Sequence, residues 1–388
     1  MARSFKVLFQ VVLLWMAGLG AATQFAKIAV PFTEVASLYP EFGDAIGWLL
    51  SIVSLIGVIL GALSGSITTW IGPSRLLIFG LVLGGLVSLF QATEPGFYVM
   101  LASRVIEGMS HLAIVVAAPT IMAQITVGRA RNAAMVLWST FFGVAFALNA
   151  WIGLQIVDQF GLSVFFALHG GLMILTAAIL ALCRIRIDLG EPGEFNWGWR
   201  ALLRAHARIY SSPRVAAPPI GWFFYTLTFV SLLAILPGQF QGNTGSIVAG
   251  LMPLAGIVLS WLAVPLMLTY LTSVAVINLG FALGIAIIGA AFLGSPLTYV
   301  AIGLFAVLGL VQGGSFAAVP ELNGSAETQA LSYGAMAQMG NSGNLLGTPV
   351  LLAVLGLTGV DGMLVAVVGF YLAAIGAHLW LARRRMAA

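Results

Sequence analysis

Three ionisable residues, Arg104, Glu107 and His111, lie inside 97–126, a run apolar and long enough to cross a bilayer. At about 100° per residue, their spacing puts all three within about 60° of one another on one helix face. That face cannot look at lipid, because an uncompensated charge at the bilayer centre costs roughly 2.5–3.5 kcal/mol on insertion scales. It must look at other helices or at water. The first apolar run adds Gln24 and Lys27, on a face shared with Pro31. If the two runs are neighbours, Lys27 and Arg104 face the single carboxylate of Glu107, and about one unit of positive charge is left unmatched in a low-dielectric place. A solute carboxylate or other anion would match it, Arg104 offering a forked pair of donors and Lys27 a point charge. Glu107 is the only carboxylate well inside an apolar run, which makes it the candidate for proton coupling, with His111 beside it. The plainer alternative is that Arg104 and Glu107 neutralise each other and pin two helices, with His111 a satisfied polar group.

The elements that carry these residues are transmembrane helices. Of 388 residues, 61% are hydrophobic and 7% charged, against about 25% charged in a soluble domain. The single cysteine, Cys183, leaves no disulfide framework and no Cys-based metal site, and the four histidines show no ligand spacing. No nucleotide loop and no nucleophile–base constellation is present, which speaks against an ATP-driven pump and against a membrane-embedded enzyme. The 26-residue linker at 189–214 is too short for the soluble surface of a receptor or scaffold. No cofactor, metal or nucleic-acid partner is expected. The basic residues sit at the ends of apolar runs, as topology signals.

The amino-terminal run continues past Val30 with no small-residue cleavage site, and reads as a retained first helix. Further spans are expected near 44–70, 76–91, 97–126, 133–157 and 162–183, and, after a polar stretch, near 216–236, 246–270, 274–293, 298–319, 328–355 and 363–381. The predicted organisation is an all-α polytopic membrane protein. It has a six-helix bundle in 1–188, a central linker at 189–214 and a second six-helix bundle in 215–388. Lys27 and Arg104 aside, the Lys and Arg residues gather at the amino terminus, at Arg75, at Arg129 and Arg131, in the linker and at Arg383, Arg384 and Arg385. Glu41, Asp44, Glu94 and Asp158 mark the opposite side. The positive-inside rule then makes both termini and the linker cytoplasmic. Within the linker, Arg200, Arg204 and Arg208 recur at helical spacing beside Trp199, Leu202, Leu203 and Ile209, the pattern of a short helix on the membrane surface. Gly57, Gly61 and Gly65, Gly280 and Gly284, and Gly343 and Gly347 repeat at the interval that lets helix backbones approach closely. Pro119, Pro265 and Pro349 are expected to bend their helices.

This organisation, with an arginine in the fourth span, resembles the major facilitator superfamily. The local match is Arg104, Glu107, Gly108 and His111, similar to a fourth-helix motif in which glycine follows arginine four residues later. The connection from Gly65 through Gly72 to Arg75 has the two glycines of the superfamily's loop motif, but Thr69 stands where that motif has Asp and Trp70 where it has a basic residue. The fifth span, Gly143 to Gly153, lacks the Gly-Pro pair of the drug/proton antiporters, which favours uptake over efflux. Among bacterial groups the fourth helix looks most like the cyanate-permease-like set.

The resemblance implies twelve helices in two pseudo-symmetric bundles rocking about a midplane site, lined by the first, fourth, seventh and tenth spans. Solute-binding candidates are then Lys27, Arg104 and Gln24 in the first half, and Trp222, Tyr225, Gln312 and Asn341 in the second. Proton-coupling candidates are Glu107 and His111. The second half, uncharged inside its spans, suits hydrogen bonding and apolar contact, although an aromatic residue such as Trp222 near a span end is also a common interface anchor. The expected protein is a monomeric secondary transporter in the bacterial inner membrane, a symporter of a small organic anion with a proton. The alternative is a proton-driven exporter of drugs or amphipathic metabolites. If the orientation is right, single cysteines at positions 75, 131 and 204 in a Cys-free background will label from the cytoplasm, and those at 41 and 94 from outside. Labelling of position 204 from outside would overturn the organisation.

Overall fold

The structure, a computed structural model, describes residues 2–127, 130, 134, 137–183, 199–324 and 326–387. Arg129 and Arg131, and the linker residues up to 198, lie outside the described residues. The described chain is helical, without strands. Helix α1 is Ala2–Ala29, α2 is Pro40–Leu63, α3 is Pro73–Gln91, α4 is Phe97–Ile125 and α5 is Phe141–Cys183. A surface helix, α6, is Trp199–Ser211; then come α7 (Ala217–Ile235), α8 (Thr244–Met267), α9 (Ser273–Phe292), α10 (Leu297–Leu322) and α11 (Ala326–Ala387). Ten helices among the described residues are long and apolar enough to cross a membrane.

Local chemistry sets the ends. Pro73 opens α3 at a position where its missing N–H is no loss, directly after Gly72. At α9, Thr272 Oγ1 accepts from Ala275 N, and the Ser273 N–H donates to the Glu321 carboxylate of α10 at 2.9 Å. Helices α5 and α11 are longer than a bilayer requires, and each is interrupted at a glycine, Gly161 (φ 84°) and Gly359 (φ 71°). That left-handed backbone is cheap only for glycine, and it breaks both helices where they would otherwise run on. Pro119, Pro265 and Pro349 each sit inside a helix that continues past them.

The chain sorts into two compact units, Met1–Glu41 with Leu63–Asn196, and Phe42–Ala62 with Trp197–Ala388. In the first unit, α1, α3, α4 and α5 pack through small and aliphatic side chains, among them Ala17, Ala21, Leu81, Ile114, Ala117 and Ala177. Large apolar side chains such as Phe79, Leu86, Phe90 and Leu172 are left exposed, as a lipid-facing surface requires. Close crossings rest on glycine. Gly85 of α3 and Gly170 of α5 meet so tightly that a Cβ on either would lie within 2.9 Å of the other's carbonyl oxygen.

In the second unit the repeats picked out from sequence are helix crossings. Gly343 and Gly347 face the backbone of α7 at Phe223 and Leu227, Gly280 faces Val307 and Val311 of α10, and Gly57 and Gly61 face Asn341 and Gln338 of α11. On α6 the three arginines are exposed, whereas Ile209 is buried against Val215 and Ala335. Leu203, expected on the apolar side, is exposed, because the side buried in this unit runs through Ile209; the side chains of Trp199 and Leu202 lie outside the described residues. In the first unit, Tyr39 donates to Pro95 O at 2.6 Å, and burial, with Glu94 nearby, pushes its phenol up to about 12.

The Gly85–Gly170 crossing also sets how closely Ser88 approaches α5. Gly85→Val should therefore lower thermal stability by about 1–3 kcal/mol, the range for overpacking. An unchanged unfolding profile in detergent would show that the two helices can part without cost.

Candidate functional site

Three buried charges organise the interior of the first unit. Lys27 of α1 and Arg104 and Glu107 of α4 are all 0% exposed. Lys27 Nζ donates to Glu107 Oε1 at 2.6 Å, Gln91 Oε1 at 2.6 Å and Ser88 Oγ at 2.9 Å, which uses its three hydrogens. Its ammonium lies 5.6 Å from the Phe166 ring centre. Arg104 Nη1 donates to Glu107 Oε2, and Nη2 donates to the Gln24 carbonyl oxygen at 2.7 Å. Gln91 Nε2 donates to Glu107 Oε2 at 3.0 Å and to Ser103 Oγ at 2.9 Å. One carboxylate thus serves two cations and one amide, each of its oxygens taken by a different cation.

The surrounding shell fixes this arrangement. Gln24 Nε2 donates to Ser110 Oγ at 2.7 Å, and Ser110 in turn donates to Gly80 O at 2.6 Å, tying α1, α4 and α3 together. Gln24 Oε1 is buried without a hydrogen-bond partner. His111 Nδ1 sits 3.1 Å from Ala21 O and its ring stands edge-on to Phe25, so it grips α1 beside the cluster and makes no hydrogen bond to Glu107. Its face is shared with Arg104 and Glu107, as the spacing indicated, but its partner is backbone. Among the described residues no three His, Cys, Asp or Glu side chains converge as metal ligands.

The fifth-span segment without a Gly-Pro pair contains a π-helical turn, Asn149–Gly153. There Asn149 Nδ2 donates to Ala145 O at 2.7 Å and to Thr23 Oγ1 of α1 at 3.2 Å.

The candidates of the second half form a separate group in the second unit. Trp222 stacks on Tyr225 with ring centres 4.7 Å apart and meets Phe316 edge-on at 5.1 Å. Tyr225 Oη donates to Gln312 Oε1 at 3.4 Å. Trp222 is thus held by aromatic neighbours on α7 and α10. Asn341 is not part of this group: its Nδ2 donates to Ala337 O of its own helix at 2.8 Å, and its carboxamide lies against Gly57.

Sequence reading missed Ser88, Gln91, Ser103, Ser110 and His169. For His169 the signal was present, an ionisable residue inside an apolar run. Ser88 and Gln91 sit three apart on α3, but Gln91 falls at the predicted end of its span, where a polar residue carries no message.

The Major Facilitator Superfamily model matches residues 14–348. The chain belongs to the major facilitator superfamily. It is similar in structure to a bacterial homologue of the human lysosomal transporter Spinster, in an inward-facing and unoccupied conformation, with a TM-score of 0.70 and 15% identity, over 98% of this chain and 97% of that one. It is equally similar to the nucleoside transporter NupG, with a TM-score of 0.70 and 15% identity, over 96% of this chain and 99% of that one. This facilitator is therefore a multi-pass membrane transporter and not an enzyme. The cluster's charge balance sets an order of stabilities for it. Lys27→Met leaves the Arg104–Glu107 pair neutral, whereas Glu107→Leu strands two buried cations, a loss of about 3–5 kcal/mol. Thermal unfolding in detergent should rank Glu107→Leu well below Lys27→Met, and the reverse order would show that Lys27 is the group the fold cannot lose.

Proposed function

We propose that this protein takes up a small organic anion together with a proton, by alternating access, across the bacterial inner membrane. Both termini are cytoplasmic in this reading, and the chain works as a monomer. The breaks at Gly161 and Gly359 support a count of twelve crossings, since each divides a helix of double length.

The observation that carries the reading is Glu107 shared by Lys27 and Arg104 with no exposure to solvent. Two buried cations and one carboxylate leave an excess of one positive charge. If a solute carboxylate engages the cations while Glu107 takes a proton, two cations again face one anion, and the buried excess is unchanged. Entry of the anion alone or of the proton alone changes it, which ties the two together. Lys27, Arg104 and Gln24 are the solute-binding groups of the first unit, Gln24 bringing a buried oxygen that has no donor. Trp222, Tyr225 and Gln312 in the second unit offer an aromatic face and an amide.

Glu107→Gln keeps the shape and one acceptor while mimicking the protonated acid. In proteoliposomes the variant should exchange solute in counterflow but fail to accumulate it against a gradient, and should lose most of the pH dependence of uptake. A thermal-shift panel of organic acids, amines and neutral solutes identifies the probe, because a ligand of the folded state raises apparent stability. Equal loss of exchange and accumulation would remove Glu107 from coupling, and preference for a cationic solute would favour the exporter.

A further inference from the structure

His169 touches the ion cluster yet has no part in the scheme above. It projects from α5, is 5% exposed, and reaches α1 with one ring nitrogen and α3 with the other. Nε2 lies 3.0 Å from the Gly20 carbonyl oxygen. A carbonyl only accepts, so Nε2 carries a hydrogen. Nδ1 lies 2.9 Å from Ser88 Oγ. That hydroxyl has one proton and two acceptors at the same distance, Nδ1 and the Phe166 carbonyl oxygen at 2.9 Å, while Ser88 Oγ itself accepts from Lys27 Nζ at 2.9 Å.

Two hydrogen-bond patterns fit these positions without moving a heavy atom. With a neutral imidazole, the Ser88 hydroxyl points at Nδ1. With an imidazolium, Nδ1–H donates to Ser88 Oγ, the hydroxyl turns to Phe166 O, and the serine's two lone pairs serve His169 and Lys27. The side chains are satisfied in both states. His111 lacks this arrangement, since its bond runs to the Ala21 backbone.

We propose that His169 is a second station for the coupling proton, joined to Glu107 through Lys27 and Ser88. The path is an unbroken row of hydrogen bonds of 2.6, 2.9 and 2.9 Å. Lys27, as the ammonium, first gives a proton to Ser88 while Ser88 gives its own to His169 Nδ1; the neutral amine so left turns its lone pair to protonated Glu107 and takes its proton. One O–H bond at Glu107, one N–H at Lys27 and one O–H at Ser88 break, and N–H, O–H and N–H bonds form at Lys27, Ser88 and His169. Glu107 ends as a carboxylate again paired with both cations, and total charge is unchanged. The groups facing His169 are Lys27 from α1, and Arg104 and Glu107 from α4; α3 presents Ser88 and Gln91, which are uncharged. Two cations against one carboxylate oppose an imidazolium, so the station fills when the cluster gains an anion or loses a cation. Its place in transport rests on the anion and proton reading above, but its titration does not require a solute.

The test is nitrogen NMR of histidine-labelled protein in lipid nanodiscs, with the His169 signal among the four histidines assigned by its loss in His169→Asn. Wild type should show the Nε2–H tautomer. Removing the nearest cation in Lys27→Met should let His169 hold its proton to a pH higher by about one unit or more. If Lys27→Met does not assemble, the paired Lys27→Met/Glu107→Gln variant removes both ions together, and the shift keeps its sign because Lys27 is the nearer group. An Nδ1–H tautomer, or a titration that moves in neither variant, would overturn the proposal. Flux that prefers a cation would remove the anion reading and leave this titration standing. An unmoved titration beside intact proton-coupled anion uptake would remove the His169 station alone.

Discussion

The first unit depends on one carboxylate held between two cations. Glu107 gives one oxygen to Lys27 and the other to Arg104, with all three side chains withdrawn from solvent. None of the three is tenable alone in an apolar interior. Their mutual attraction offsets desolvation only because every remaining hydrogen of Lys27 finds an oxygen, on Gln91 and Ser88. The requirement reaches outward: Ser88 must stand near α5, Gln91 must turn inward from the end of α3, and Gln24 must present its carbonyl to Arg104.

Those demands are met by close backbone approach. With lipid outside, burial of apolar area does not draw helices together, and packing of small residues does. The Gly85–Gly170 crossing brings α3 onto α5, and Gly80 and Gly84 leave room for Ser110 and its neighbours on α4. The polar cluster and the glycine crossings are therefore two aspects of one arrangement. A side chain added at a crossing would displace a hydrogen-bond partner of the ions.

The two units use different chemistry. The first concentrates charge, while the second offers aromatic rings, amides and hydroxyls, with Tyr225 linking α7 to α10 through Gln312. Under the proposed function, the charge excess of the first unit is the reason an anion enters with a proton. The rings, amides and hydroxyls of the second unit suit hydrogen bonding and apolar contact and carry no charge.

By itself the sequence determined the membrane class, most of the span positions, the family resemblance and the shared face of Arg104, Glu107 and His111. The class, the spans and the shared face follow from composition or from the period of one helix, and the resemblance from the motif residues at 104–111 and 65–75, all of it local information. The glycine repeats were likewise readable as crossings, although not which helices cross. The tertiary structure decided that Lys27 reaches Glu107 across 80 positions in the chain, that His111 turns to backbone, and that Ser88, Gln91 and His169 complete the cluster. It also joined 42–62 to the second unit and placed Asn341 against Gly57, apart from Trp222. Periodicity gives the direction in which a side chain leaves its own helix. The partner it meets depends on how closely another backbone approaches, and that is fixed by residues far away in the chain.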